Sequence, residues 1–138
     1  MTTTLQSVFY VENNVGLGFV TAFGQFSRNH NWGAIFQNHV HPGMQRAQNG
    51  DVWWLKQIAS AGYALLTCDV AITRSADERD AVIESGLRYV GFAKADYDGW
   101  TQMRVVTNHW DELSTELEMP GPVIIRAAIS KLEIERPG

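Results

Sequence analysis

Gly62-Tyr63-Ala64-Leu65-Leu66-Thr67-Cys68-Asp69 decides how this chain reads. Tyr63 to Leu66 is a short apolar run, bounded by a glycine before it and by polar residues after it. That pattern belongs to a strand covered on both faces, as in a parallel sheet. Thr67 and Asp69 fall at its carboxyl end, the edge where open α/β sheets collect ligands and catalytic groups. A second apolar run, Val8-Phe9-Tyr10-Val11, ends the same way, in Glu12. Two strands that each deliver an acid to one sheet edge point to a metal site.

The flanking sequence supports a sheet of this kind. Asn13-Asn14 breaks the first strand and can cap the next helix. Val15, Phe19, Ala22, Phe23 and Phe26 recur at spacings of three and four, which predicts a helix over 15–26. Ser27 to Asn31 reads as a loop and Trp32 to Phe36 as a short strand. Gln37 to Gly50 is irregular and polar, with a turn at Pro42-Gly43. Asp51 opens a predicted helix that runs to Ala61 and stops at Gly62.

After the central strand, Ser75-Ala76-Asp77-Glu78 fits a capping box that starts a helix to about Ser85. Leu87 to Phe92 is the next strand, and Trp100 to Leu117 has the length and apolar spacing of one helix. Pro120-Gly121-Pro122 ends it, and a last strand starts at Val123 and extends to Ile134 with a break near Ala127-Ala128. Strands and helices alternate. The expectation is an α/β fold: a single three-layer domain over residues 1–138 with a mainly parallel central sheet.

Composition narrows the function classes. The 138 residues, 45% of them hydrophobic, suit one domain with a proper core. No apolar run is long enough to cross a bilayer. Met1-Thr2-Thr3-Thr4 lacks the basic start and apolar core of a signal peptide, so a cytoplasmic location is expected. The single cysteine, Cys68, excludes an internal disulfide. A net charge of −4 excludes the basic footprint of a duplex-DNA binder, although bound cations can neutralise an acidic site for a nucleic-acid substrate.

Three acids occupy matching contexts: Glu12 after the first strand, Asp51 at a helix start and Asp69 after the central strand. Carboxylates suit hard cations such as Mg²⁺ and Mn²⁺. Taken singly, Asp51 also reads as a helix N-cap and Asp69 as a turn former. Glu12 resists a bland reading, because an acid directly after a buried strand needs a partner.

Here the sequence resembles the PIN-like domain family. Phe9-Tyr10-Val11-Glu12-Asn13-Asn14-Val15-Gly16 looks like that family's opening strand, which runs into Asp-x-Asn-hydrophobic-Gly. Gly50-Asp51-Val52-Trp53-Trp54-Leu55 is similar to its acid-led helix, and Ala61 to Asp69 resembles its Gly-hydrophobic-Thr-x-Asp strand. Gly121-Pro122-Val123-Ile124-Ile125-Arg126 looks like its closing strand. The resemblance runs from about Val8 to Arg126.

It implies a metal-dependent ribonuclease with Glu12, Asp51 and Asp69 as ligands of one or two Mg²⁺ or Mn²⁺ ions. Asn14 would hold the first turn, and Thr67 would orient Asp69 or a bound water. It also implies the toxin of a toxin–antitoxin pair of VapC type, with RNA as substrate and a cognate antitoxin as partner. Two residues depart from the pattern: the first acid is Glu rather than Asp, and Cys68 stands where a basic residue is common.

Asp96 and Asp98 are the candidates for a fourth acid, though both also read as a solvated turn. His39-Val40-His41 has spacing for two zinc ligands but lacks nearby companions. Gly16-x-Gly18 falls short of a dinucleotide fingerprint. One of Trp53 and Trp54 is expected to face outward, as a homodimer contact or a base-stacking platform. Arg74, Arg79, Arg88 and Lys94 are the candidate RNA phosphate contacts. The rival readings are a catalytically degenerate interaction module of the same fold and a nucleotide-binding α/β domain. A receiver-type phosphorylation domain is a third, but the chain after Val123 offers it only Arg126 and Lys131 as the required base.

Overall fold

The computed structural model describes residues 4–12, 17–36, 46–68 and 75–137. Its strands are β1 (Val8–Val11), β2 (Gly33–Phe36), β3 (Ala64–Thr67), β4 (Arg88–Phe92), β5 (Val123–Ala127) and β6 (Leu132–Glu135). Its helices are α1 (Leu17–Asn29), α2 (Arg46–Ser60), α3 (Ala76–Ser85), α4 (Gly99–Asn108) and α5 (Trp110–Leu117). The strands form one six-stranded sheet in the order β2-β1-β3-β4-β5-β6. All neighbours pair in parallel except β5 with β6. This is the mainly parallel α/β sheet that the apolar runs predict.

Both faces of the sheet are covered, which is why β3 and β4 are buried along their whole length. On one face Phe9, Val11, Leu66, Val90, Phe92 and Ile125 pack under Phe19 and Phe23 of α1 and under α4 and α5. Phe19 stacks on Phe23 and meets Phe92 edge-on. On the other face Tyr10, Leu65, Tyr89 and Ile124 pack under Trp54, Leu55 and Ile58 of α2 and Ala81 and Val82 of α3.

Three boundaries differ from the sequence reading. The expected loop at Ser27 is instead the last turn of α1, where the Ser27 hydroxyl donates to Gly24 O at 3.2 Å and its carbonyl accepts from Trp32 N. The chain reverses at Asn31, which takes a positive φ of 64°. α2 begins at Arg46, so Asp51 lies in its second turn and does not open it. The Asn49-Gly50 pair carries a helix-propensity cost of order 1 kcal/mol, and the packing of Trp54, Leu55 and Ile58 into the core outweighs it.

The expected helix over 100–117 is split at His109. There the imidazole Nε2 lies 3.0 and 3.1 Å from the carbonyl oxygens of Ala128 and Ile129. The last strand folds back at the expected break, closed by Ala128 N donating to Lys131 O at 3.0 Å, so its second half runs antiparallel as β6. Ser75 caps α3 through its backbone conformation alone, without the side-chain bond of a capping box. Gly62 and Gly86 end α2 and α3 at positive φ, and a Cβ at Gly62 would collide with the Thr4 carbonyl oxygen.

Arg88 ties the amino-terminal edge together. It is 2% exposed, and its guanidinium donates to the carbonyls of Leu117, Gln6 (2.7 Å) and Gly62 (2.6 Å). Burial lowers its pKa from the usual arginine value. It therefore stands at the opposite end of the sheet from Glu12 and is no phosphate contact. No described helix is long and apolar enough to cross a membrane.

Candidate functional site

The connections place a switch point between β1 and β3. From β1 the chain goes through α1 to β2 on one side, then crosses through α2 to β3 on the other. Crevices open at such reversals, outside the carboxyl ends of the strands. Glu12 leaves β1 at this point, and Thr67 ends β3 beside it. Glu12 N donates to Leu66 O at 3.0 Å, which carries the β1–β3 pairing one residue past Val11.

Glu12 is 2% exposed and Thr67 is fully buried. The Thr67 hydroxyl donates to Glu12 Oε2. A buried carboxylate is costly unless hydrogen bonds or a cation compensate it, and Thr67 supplies a charge-assisted donor that also fixes the carboxylate's orientation. The two acid-bearing strands of the sequence thus meet. Thr67, expected to orient Asp69 or a water, bonds Glu12.

The other candidates divide. Asn14 and Asp69 lie outside the described residues, as do Arg74, His39 and His41. Asp51 is described through its backbone in α2, the helix that packs on the same sheet face as Tyr10. Asp96 is exposed. Asp98 is the N-cap of α4, accepting from Thr101 N at 2.8 Å, and that bond holds its carboxyl below the usual range. Its role is to start a helix. Among the described residues no group of three or more His, Cys, Asp and Glu side chains is placed to hold a metal ion.

Cys68 follows Thr67 but packs in the α1/α4 core. Gln102 Nε2 donates to its Sγ at 3.0 Å, and burial pushes the thiol up to about 11. It is a core residue and no nucleophile. Trp54 is fully buried and Trp53 is half-buried, so the outward Trp of the chain is Trp100, at 74% exposure.

The strand register extends the site sideways. Thr67 pairs with Gly91, Gly91 with Arg126, and Arg126 with Glu133. Paired positions share a face, so Glu12, Thr67, Gly91, Arg126 and Glu133 form one row across the carboxyl half of the sheet. Tyr89, two residues before Gly91, lies on the same face. A Cβ at Gly91 would stand 3.0 Å from Cε1 of the Tyr89 ring, so a side chain there would push the ring by a few tenths of an ångström.

Arg126 Nη2 donates to Ala93 O at 3.1 Å, which brings its guanidinium over the exit of β4. Sequence reading weighed Arg126 only as a stand-in for a receiver-domain lysine and passed over Tyr89 and Gln102. Their placement depends on cross-strand register and helix docking, which one sequence does not encode locally.

A family model described as PIN like domain matches residues 7–94 of the chain, from β1 to just past β4. Searches of curated proteins and of solved structures return no match.

Proposed function

The chain belongs to the PIN-like domain family, and we propose that it is a metal-dependent ribonuclease whose cation is held by Glu12, Asp51 and Asp69. PIN-like domains are in general nucleases. The observation that carries the proposal is the buried Glu12 carboxylate at the β1–β3 switch point, oriented by the Thr67 hydroxyl. An all-oxygen donor set of this kind suits Mg²⁺ or Mn²⁺ and not a thiolate-seeking metal. When bound, such a cation supplies an activated water and stabilises charge that develops on a phosphodiester.

The chain's own residues do the rest. Thr67 holds Glu12 in one rotamer, so the carboxylate is oriented before substrate arrives. Asp51 and Asp69 add negative charge that a cation must offset before a phosphate can approach. Asn14 steadies the turn after β1. Burial of Glu12 and Thr67 keeps bulk water from competing for their hydrogen bonds.

The same reading assigns the chain to the toxin side of a toxin–antitoxin pair in the cytoplasm. A cognate antitoxin would cover the acidic site, with an Arg or Lys answering the carboxylates. Calorimetric titration with Mn²⁺ tests the site. Structured binding by the wild type that is lost in Asp69→Asn supports the ribonuclease. Absence of binding in the wild type favours a degenerate interaction module.

A further inference from the structure

Beyond the row of Glu12 and Thr67 the same sheet face carries an open cavity of ≈ 350 Å³. It is lined by Arg79, Tyr89, Ile124, Arg126, Glu133 and Glu135, with Gly91 between it and Thr67. α3 is the last helix on this face, so past it the floor of β5 and β6 lies open and Arg126, Glu133 and Glu135 are exposed. Tyr89 and Ile124 close the floor at 2% and 8% exposure, the rim is charged, and the size suits a single small planar ligand.

We infer that this cavity is a nucleotide subsite, with Arg126 holding the phosphate next to the one at the acidic edge and the space between Arg126 and the Arg79–Glu135 pair receiving its base. The ligand class, single-stranded RNA, rests on the ribonuclease reading. Arg126 reaches over the exit of β4 to Ala93 O. β5 lies two interstrand spacings, roughly 10 Å, from the β3 column that ends in Thr67, and this reach brings the charge back toward it across β4. A strand of RNA whose phosphate is drawn to a cation at the acids would pass this guanidinium next.

Arg126 is available for that role. Its ion pair with Glu133 is long, 3.6 Å, and both side chains are about half exposed (53% and 48%). Exposed pairs of this kind bind weakly and yield to a better partner, and a guanidinium matches a phosphate with two parallel donors. Arg79 contributes differently. It is locked to both carboxylate oxygens of Glu135 at 2.6 Å, and this pair forms the wall opposite.

The test is fluorescence anisotropy with a labelled single-stranded RNA of mixed sequence, in Ca²⁺ so that the acids are offset without Mn²⁺ or Mg²⁺, with the RNA checked intact on a gel, over a series of salt concentrations. Arg126→Ala is expected to weaken binding roughly tenfold and to reduce the slope of log affinity against log salt by about 0.7, the loss of one phosphate contact on a single strand. Arg126→Lys should restore the slope while leaving the affinity intermediate. Melting temperatures of the variants should match the wild type, since the side chain is exposed. Equal affinity and slope in Arg126→Ala and wild type would overturn the subsite, as would absence of RNA binding by the wild type. The ribonuclease reading fails separately, if RNA binds with this signature but is not cut when Mn²⁺ is restored.

Discussion

Thr67→Val isolates the bond on which the site is built. The substitution keeps the β-branched shape and removes the hydroxyl that donates to Glu12 Oε2. Thr67 is fully buried and Glu12 is 2% exposed, so water cannot take the donor's place without opening the strand edge. A hydrogen bond to a charged group contributes about 1.5–3 kcal/mol. The added methyl group returns on the order of 1 kcal/mol through burial. The net loss is therefore about 0.5–2 kcal/mol, read in urea as a lower midpoint at unchanged m-value. Glu12→Gln and the double variant complete a cycle, whose coupling energy should be about 1.5–3 kcal/mol. In the same variant Mn²⁺ affinity should fall by roughly 10- to 100-fold, as for other partners that orient a ligand. A Thr67→Val protein as stable as the wild type, with zero coupling to Glu12, would refute the claim that Thr67 holds the carboxylate.

Three further outcomes rest on individual contacts. Arg88→Met should lower stability by about 2–4 kcal/mol in urea unfolding, because it leaves the buried Leu117 carbonyl without its donor and removes the second bond to Gly62 O, which keeps its bond from Gln6 N. Asp98→Ala should lower the melting temperature at neutral pH. The cap bond depresses the folded-state pKa, so its contribution is present above the ordinary carboxylate range and disappears as pH falls through the lowered value; the gap between variant and wild type should close in acid, and a gap that persists there would contradict the cap assignment. Cys68, with a thiol pushed up to about 11, should react with a thiol reagent at pH 8 only as fast as the chain unfolds, so labelling should accelerate sharply in urea.

Sequence reading reached the sheet because its strands are locally encoded. β1, β3 and β4 are apolar runs that must be covered on both faces, and Gly62 and Gly86 mark helix ends by the positive φ they adopt. What escaped it depends on distant partners. Nothing near His109 says that its imidazole will meet the carbonyls of Ala128 and Ile129 and divide a helix. The start of α2 at Arg46 is hidden by an Asn-Gly pair that favours a turn when read alone.

The candidate site divides in the same way. Glu12 and Thr67 were legible because each ends a buried strand, and the fold brings them into contact. The N-cap reading of Asp51 failed with the helix boundary on which it relied, and Asp98 is the acid that does cap a helix. Arg126 acquires its meaning from a register that runs through Thr67, Gly91 and β5, three segments far apart in the chain.

The central claim is tested most directly by incubating the purified protein with a mixed pool of structured and single-stranded RNA. Parallel reactions hold Mn²⁺, Mg²⁺ or EDTA, with Asp69→Asn and Glu12→Gln alongside the wild type. The account predicts cleavage by the wild type that requires the metal and is lost in both variants. Cleavage that survives in EDTA, or that both variants carry out at the wild-type rate, would contradict it.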